Sequence, residues 1–248
     1  MKNTFDCGKA YSYGYSKLDN LTNGLYPGEL VLVGARPGMG TSSFILRSVL
    51  HWINTYKCSA AVFLYGHSTD EYRNRFSIVS SGRKAEAETD LLISEFRNFR
   101  YMHWLDSIKA LFESEKRPGL IVIDSVRLMN YCDNNEQGTA VDFGNFFVRL
   151  KDIAEEYSVP VIVAVKLPRI CDIRFDNGGD ARPVLSDLSV TSVAVKDFDT
   201  VLMLYRDSYY NWEKYIGDSA CATEIIVTKS LCGKNGICRL KHGYTAVF

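Results

Sequence analysis

Gly34-Ala-Arg-Pro-Gly-Met-Gly-Thr-Ser-Ser43 decides the fold class of this 248-residue chain. Phosphate-binding loops of the form G/A-x-x-x-x-G-K-[ST] use glycines so that backbone N–H groups can curl around phosphates. Their lysine reaches the terminal phosphates and their hydroxyl holds Mg²⁺. Ala35 to Ser42 fits that frame, with Gly40 and Ser42 in register and Thr41 where the lysine belongs. The nucleotide-binding candidates are therefore Ala35, Arg36, Pro37, Gly38, Met39, Gly40, Thr41 and Ser42. The apolar run Leu30 to Gly34 reads as a buried strand entering the loop, and Ser42 to Tyr56 as a helix whose N-terminus faces the anion. A Gly/Pro-rich connection can also be a plain tight turn, so a second stretch has to arbitrate. Gly119-Leu-Ile-Val-Ile-Asp124 does so: it is an apolar strand ending in a carboxylate, the form taken by the residue that orients Mg²⁺ beside such a loop. Ser42 and Asp124 are the candidate metal pair.

The bulk composition fits one large α/β domain spanning 1–248, with 1–14 as a lead-in. Acidic and basic residues number 29 each, so the formal net charge is zero. Neutrality removes any global electrostatic argument for nucleic-acid binding, which draws mainly on phosphate neutralisation. No apolar run is long enough to cross a bilayer and Met1 to Asp6 carries no signal-like segment, so a cytoplasmic protein without membrane contact is expected. The seven cysteines (7, 58, 132, 171, 221, 232 and 238) form no CxxC pair and are odd in number, which favours reduced structural thiols. The four histidines show no ligand spacing, and no nucleophile has an evident base partner.

Strands are expected at Leu30–Gly34, Ala60–Tyr65, Tyr101–Leu105, Leu120–Asp124, Val159–Val165, Thr200–Tyr205, Thr223–Thr228 and Ile237–Lys241. Helices are expected at Ser42–Tyr56, Thr69–Ser80, Ala85–Phe99, Ser107–Lys116 and Val141–Tyr157. Val/Ile/Leu runs alternating with helices predict a mainly parallel sheet covered on both faces, and the closely spaced final segments, ending with Tyr244–Phe248, predict antiparallel edge strands. Polar loops at 133–138, 171–182 and 207–222 follow the strands; the first two are candidate ligand loops.

These stretches together resemble the C-terminal RecA-like motor domain of DnaB-type replicative DNA helicases, over nearly the whole chain. Tyr15 to Leu30 resembles the family's opening segment, Ala35 to Gly40 its P-loop and Ile121 to Met129 its Walker B strand. Val159 to Arg169, Arg182 to Leu188, Tyr205 to Asp207 and Glu224 to Lys229 follow in the family's order. The resemblance implies a RecA-like P-loop NTPase fold with ATP and Mg²⁺ as cofactors, and single-stranded DNA and helicase or replication proteins as partners. It also implies losses. The P-loop Lys aligns with Thr41, the water-polarising Glu with Gly66, the γ-phosphate-sensing Gln with Lys166, and the Lys-x-Arg finger pair with Lys229 and Leu231. Lys166 and Lys229 join the nucleotide-binding candidates on this ground. The family's N-terminal domain and linker helix are expected to be absent, and with them the support for a hexamer.

The resulting expectation is a degenerate motor domain that hydrolyses ATP inefficiently, binds nucleotide weakly or not at all, and acts as a nucleotide-, DNA- or protein-binding module in DNA replication or mobile-element DNA metabolism. An alternative is a divergent, working ATP-dependent helicase in which Lys166 replaces the P-loop lysine as a point charge. DNA contact without hydrolysis would draw on Arg169, Arg174 and Arg182, against which stand the neighbouring Asp172, Asp176 and Asp180.

Overall fold

The computed structural model describes residues 9–65, 67–80, 90–96, 101–127, 143–188, 194–215 and 222–241. Eight strands form one sheet: β1 (Leu30–Ala35), β2 (Ala60–Tyr65), β3 (Leu91–Phe96), β4 (Leu120–Arg127), β5 (Val161–Lys166), β6 (Thr200–Arg206), β7 (Ala222–Lys229) and β8 (Gly236–Lys241). They lie in the order β3-β2-β4-β5-β1-β6-β7-β8. β1 to β6 pair in parallel, and β7 and β8 add antiparallel at one edge. The helices are α1 (Ser16–Thr22), α2 (Thr41–Tyr56), α3 (Thr69–Val79), α4 (Tyr101–Glu113), α5 (Phe143–Tyr157), α6 (Ile170–Asp176) and α7 (Asp207–Tyr210). No helix among the described residues is long and apolar enough to cross a membrane.

Strand alternation splits the core into two layers. Val31, Val33, Val62, Leu64, Val122, Ile162 and Ala164 point to the face covered by α2 and α3, where Phe44, Trp52, Tyr72 and Phe76 are buried. Leu32, Phe63, Ile121, Ile123, Val163 and Val165 point to the other face, against Trp104 and Ile108 of α4 and Phe146 and Leu150 of α5. Both faces are covered, so the parallel strands are apolar runs and not alternating ones. The same parity sends Asp124 and Lys166, one step beyond Val122 and Ala164 on their strands, to the α2/α3 face at the carboxyl ends of β4 and β5.

Two expected elements exchange type. The expected helix Ala85–Phe99 contains strand β3, paired in parallel with β2 from Ala60↔Leu91 to Tyr65↔Phe96. Leu-Leu-Ile-Ser-Glu-Phe has no strict alternation, and tertiary pairing at the sheet edge outweighs local preference. The expected strand Tyr101–Leu105 is instead the first turn and a half of α4, because Trp104, Ile108 and Phe112 recur every four residues and bury one stripe. Helices α1, α6 and α7 form where no helix is expected, α6 and α7 falling on the segments 171–182 and 207–222 read as polar loops. The loop 133–138 and the closing segment 244–248 lie outside the described residues.

Candidate functional site

The phosphate-type loop runs from β1 into α2, as its pattern requires. Gly38 and Gly40 have φ of 84° and 92°, in the left-handed region that side chains disfavour. A Cβ on Gly38 would stand 3.0 Å from the ring of Tyr209, which packs over the loop from the end of α7. Met39 is buried beneath, its Sδ accepting from the Arg206 N–H at 3.3 Å. These constraints leave the backbone N–H groups at the start of α2, beside Thr41 and Ser42, as the anion-facing end of the helix.

Arg36 turns away from that mouth. Its guanidinium forks onto Asp172 of α6 at 3.1 and 2.5 Å and donates to the Leu167 carbonyl at 2.7 Å. Its side chain therefore pins α6 to the loop, and only its backbone belongs to the phosphate cradle.

Asp124 forms the floor. It is 1% exposed, and its Oδ2 is buried with no hydrogen-bond partner, as is the neighbouring Ser125 Oγ. Burial pushes the Asp124 carboxyl above its ordinary range; a hydrogen bond from Ser42 and the nearby charges of His67, Lys166 and Arg75 pull it part of the way back. Buried polar atoms without partners call for an explanation, and here they face a cleft.

That cleft has a volume of about 1500 Å³. It is bounded by Ala35 to Gly38, Gly40 to Phe44, Asp124 and Ser125, Val165 and Lys166, and by Arg206 and Tyr209. Among the described residues, Lys17, Arg47, Lys166 and Arg206 line it, with Arg36, Arg75 and Arg239 each paired to an acid outside it (Asp172, Glu71 and Glu224), against one lining acid, Asp124. A chain of zero net charge thus concentrates positive potential in one place, which is what a polyanionic ligand needs.

A Mg²⁺ ion accompanying nucleotide would need few protein ligands, since it takes one or two carboxylates plus substrate phosphates and keeps several waters. Ser42 and Asp124, whose Oδ2 has no partner, fit that role. No cluster of three or more metal-ligating His, Cys, Asp or Glu side chains exists among the described residues.

The expected site residues divide sharply. Ala35, Arg36, Pro37, Gly38, Gly40, Thr41, Ser42, Asp124 and Lys166 line one cleft, with Met39 directly below. Gly66 lies outside the described residues. Lys229 and Leu231 are at the opposite end of the sheet, where antiparallel β7 ends beside the start of β6. Lys229 Nζ donates to the carbonyls of Val195 and Phe198, and the Leu231 N–H donates to Thr200 Oγ1 at 3.2 Å. Neither reaches the cleft of its own chain. Arg174 is bound to Asp187 at 2.9 and 3.0 Å, and Arg182 to Glu224 at 2.7 and 3.2 Å while lying over the Tyr205 ring. Both hold their loop together, whereas Arg169, at the N-terminus of α6, is exposed.

His67, Arg75, Arg206 and Arg239 were not legible as site residues. They reach the cleft from the segment after β2, from α3, from the end of β6 and from β8, and only the sheet order brings these together.

The family model for the DnaB-like helicase C-terminal domain matches residues 11–90 and 73–246. The probable replicative DNA helicase of Trieres chinensis is 28% identical, the match covering 96% of this chain and 56% of that protein. The replicative DNA helicase DnaB of Geobacillus stearothermophilus is 24% identical, over 92% of this chain and 53% of that protein. The chain therefore spans about half the length of the curated relatives it matches. Among solved structures, the ATPase domain of G40P superposes with a TM-score of 0.71 at 21% identity, covering 92% of this chain and 86% of that one. A DnaB-like replicative helicase described with its interactions with primase gives a TM-score of 0.71 at 22% identity, covering 96% and 60%. At these identities the two structures establish a shared fold.

Proposed function

Because the chain belongs to the DnaB-like helicase C-terminal domain family, we propose that it is a motor-type domain that holds a nucleoside triphosphate with Mg²⁺ and turns it over poorly, acting as a nucleotide-dependent binding module. The observation that carries this reading is the cleft itself: a glycine loop, a helix N-terminus and a buried acid with an unpartnered oxygen, ringed by cations. In it the backbone of residues 36–42 would cradle the phosphates, and Ser42 and Asp124 would hold Mg²⁺, which neutralises charge on the phosphates when bound. Thr41 supplies a hydroxyl where the family supplies an ammonium, Gly66 supplies no carboxylate to orient water, and Leu231 supplies no guanidinium to a neighbour. A missing finger alone is worth about 10³–10⁵ in rate.

The second reading, a working ATPase with Lys166 as the relocated cation, is favoured by one observation: Lys166 lines the cleft on the same face as Asp124 and acts on its charge. Phosphate release by the pure protein separates the two. We expect none above background with or without single-stranded DNA; sustained, DNA-stimulated release that disappears in Lys166→Ala would establish the second reading.

Single-stranded DNA remains a proposed partner, with Arg169 as the candidate contact now that Arg174 and Arg182 are internally paired. Binding of this kind weakens with salt as phosphates are neutralised. Anisotropy of labelled single-stranded DNA should therefore rise at low salt and fall as salt is added, and a flat response at low salt would refute it. A helicase or other replication protein, and assembly into an oligomer, are proposed on family grounds.

A further inference from the structure

Ser125 of β4 is 3% exposed, and among the described residues its hydroxyl has no hydrogen-bond partner. Regular strand geometry would turn it away from the cleft. Ile121 and Ile123 point to the layer covered by α4 and α5, and strict alternation would return residue 125 to that apolar side. Val126 takes that place instead. Ile123 pairs with Val163 and Val126 with Val165, so β4 sets two residues, Asp124 and Ser125, against one on β5, Ala164. The bulge leaves both Asp124 and Ser125 on the wall of the cleft, and bulges of this kind re-aim a side chain beside a site. Asp124 Oδ2 and Ser125 Oγ are then adjacent buried oxygens that do not bond each other and open on the same cavity. For packing alone, alanine would serve position 125 as well, because an unmade hydrogen bond stabilises nothing.

We infer that Ser125 Oγ is a binding residue of the nucleotide site that donates to the terminal phosphate and so distinguishes a nucleoside triphosphate from a diphosphate. This role rests on the nucleotide reading above. In that reading the backbone of residues 36–42 cradles the inner phosphates. The terminal one extends over the carboxyl ends of β4 and β5, where Ser125, Val165 and Lys166 line the cleft. As a ligand of Mg²⁺, Asp124 is an acceptor only, whereas the hydroxyl next to it can donate to a phosphate oxygen. A bond from an O–H to an anionic oxygen is of the stronger, charge-assisted kind. The empty protein gains nothing from this hydroxyl, so its loss registers in affinity for the triphosphate and not in the fold.

The test is calorimetric titration in Mg²⁺ of wild type, Ser125→Ala and Ser48→Ala with ADP and with the non-hydrolysable β,γ-imido analogue of ATP, alongside the melting temperature of each free protein. Ser48 of α2 is the control: equally buried, its hydroxyl also without a partner among the described residues, and outside the cleft lining. Wild type should prefer the triphosphate analogue. Ser125→Ala should cut that preference about tenfold, bind ADP as wild type does and melt at an equal or higher temperature, while Ser48→Ala keeps the wild-type preference. A wild type that binds both nucleotides alike, a preference unchanged in Ser125→Ala, an equal loss for both nucleotides, a lower melting temperature, or the same loss in Ser48→Ala would overturn the role of Ser125 and leave the nucleotide reading standing. A wild type that binds neither nucleotide would overturn that reading and this inference with it, and that outcome is visible without any variant.

Discussion

Thr41 and Glu29 show how far single residues carry the account. Thr41 keeps the loop's shape, since the first turn of α2 forms from it and Phe44 N–H reaches the Gly40 carbonyl at 2.9 Å. What it removes is charge at the end of the loop, and the cleft's cations therefore come from other elements. Glu29 is a buried acid of a different kind, at the opposite end of β1. It is 1% exposed, accepts from Thr200 Oγ1 and from the Tyr26 N–H at 2.7 Å, and lies near Asp199 and Lys151. Burial pushes its pKa up to about 7 from an ordinary 4.5, against the two hydrogen bonds and Lys151, and with Asp199 adding to the rise. The folded state then binds a proton more tightly than the unfolded state between those values. Its contribution to stability is full below about 4.5, declines as pH rises toward about 7, and stays lost above. The decline amounts to at most about 1.4 kcal/mol per pH unit. Denaturant unfolding at pH 5 and pH 8 should therefore show wild type losing more stability than Glu29→Gln over that interval; parallel losses would contradict it.

At the scale of elements, legibility followed the physics of burial. β1, β2, β4, β5 and β6 lie inside the sheet with neighbours on both sides, so their apolar runs were readable within one or two residues, except that β4 runs three residues past Asp124 to Arg127. β3 has a partner on one side alone, and its leucine-rich run resembles a helix until β2 is placed beside it. α4 was hidden by aromatics in its first turn that favour strands in isolation. A proline at Lys109, exposed in the middle of α4, should cost about 3 kcal/mol or more by breaking the helix. A guanidinium midpoint unchanged from wild type in Lys109→Pro would show that the segment is not helical. The site divided in the same way: the loop and Asp124 are local patterns, whereas Arg75 sits on α3 four residues from Glu71 and reaches the cleft only where α3 packs beside α2.

Across the whole molecule, the cleft and the Lys229–Leu231 segment lie at opposite ends of the sheet's strands. The cleft gathers at the carboxyl ends of the parallel strands, where open α/β sheets hold their ligands. The loop bearing Lys229 and Leu231 is fastened at the amino ends, through Thr200 to Glu29 and through Lys229 to the carbonyls of residues 195 and 198. Leu231 carries no charge there. On the reading proposed above, the molecule keeps the binding half of the chemistry in its own cleft, with Thr41 and Leu231 uncharged where the family it belongs to is expected to carry charge. Titration calorimetry of the pure protein with Mg-ATP tests this most directly. The account predicts a saturable isotherm that returns to baseline after each injection; a sustained heat of turnover, or no heat of binding at all, would contradict it.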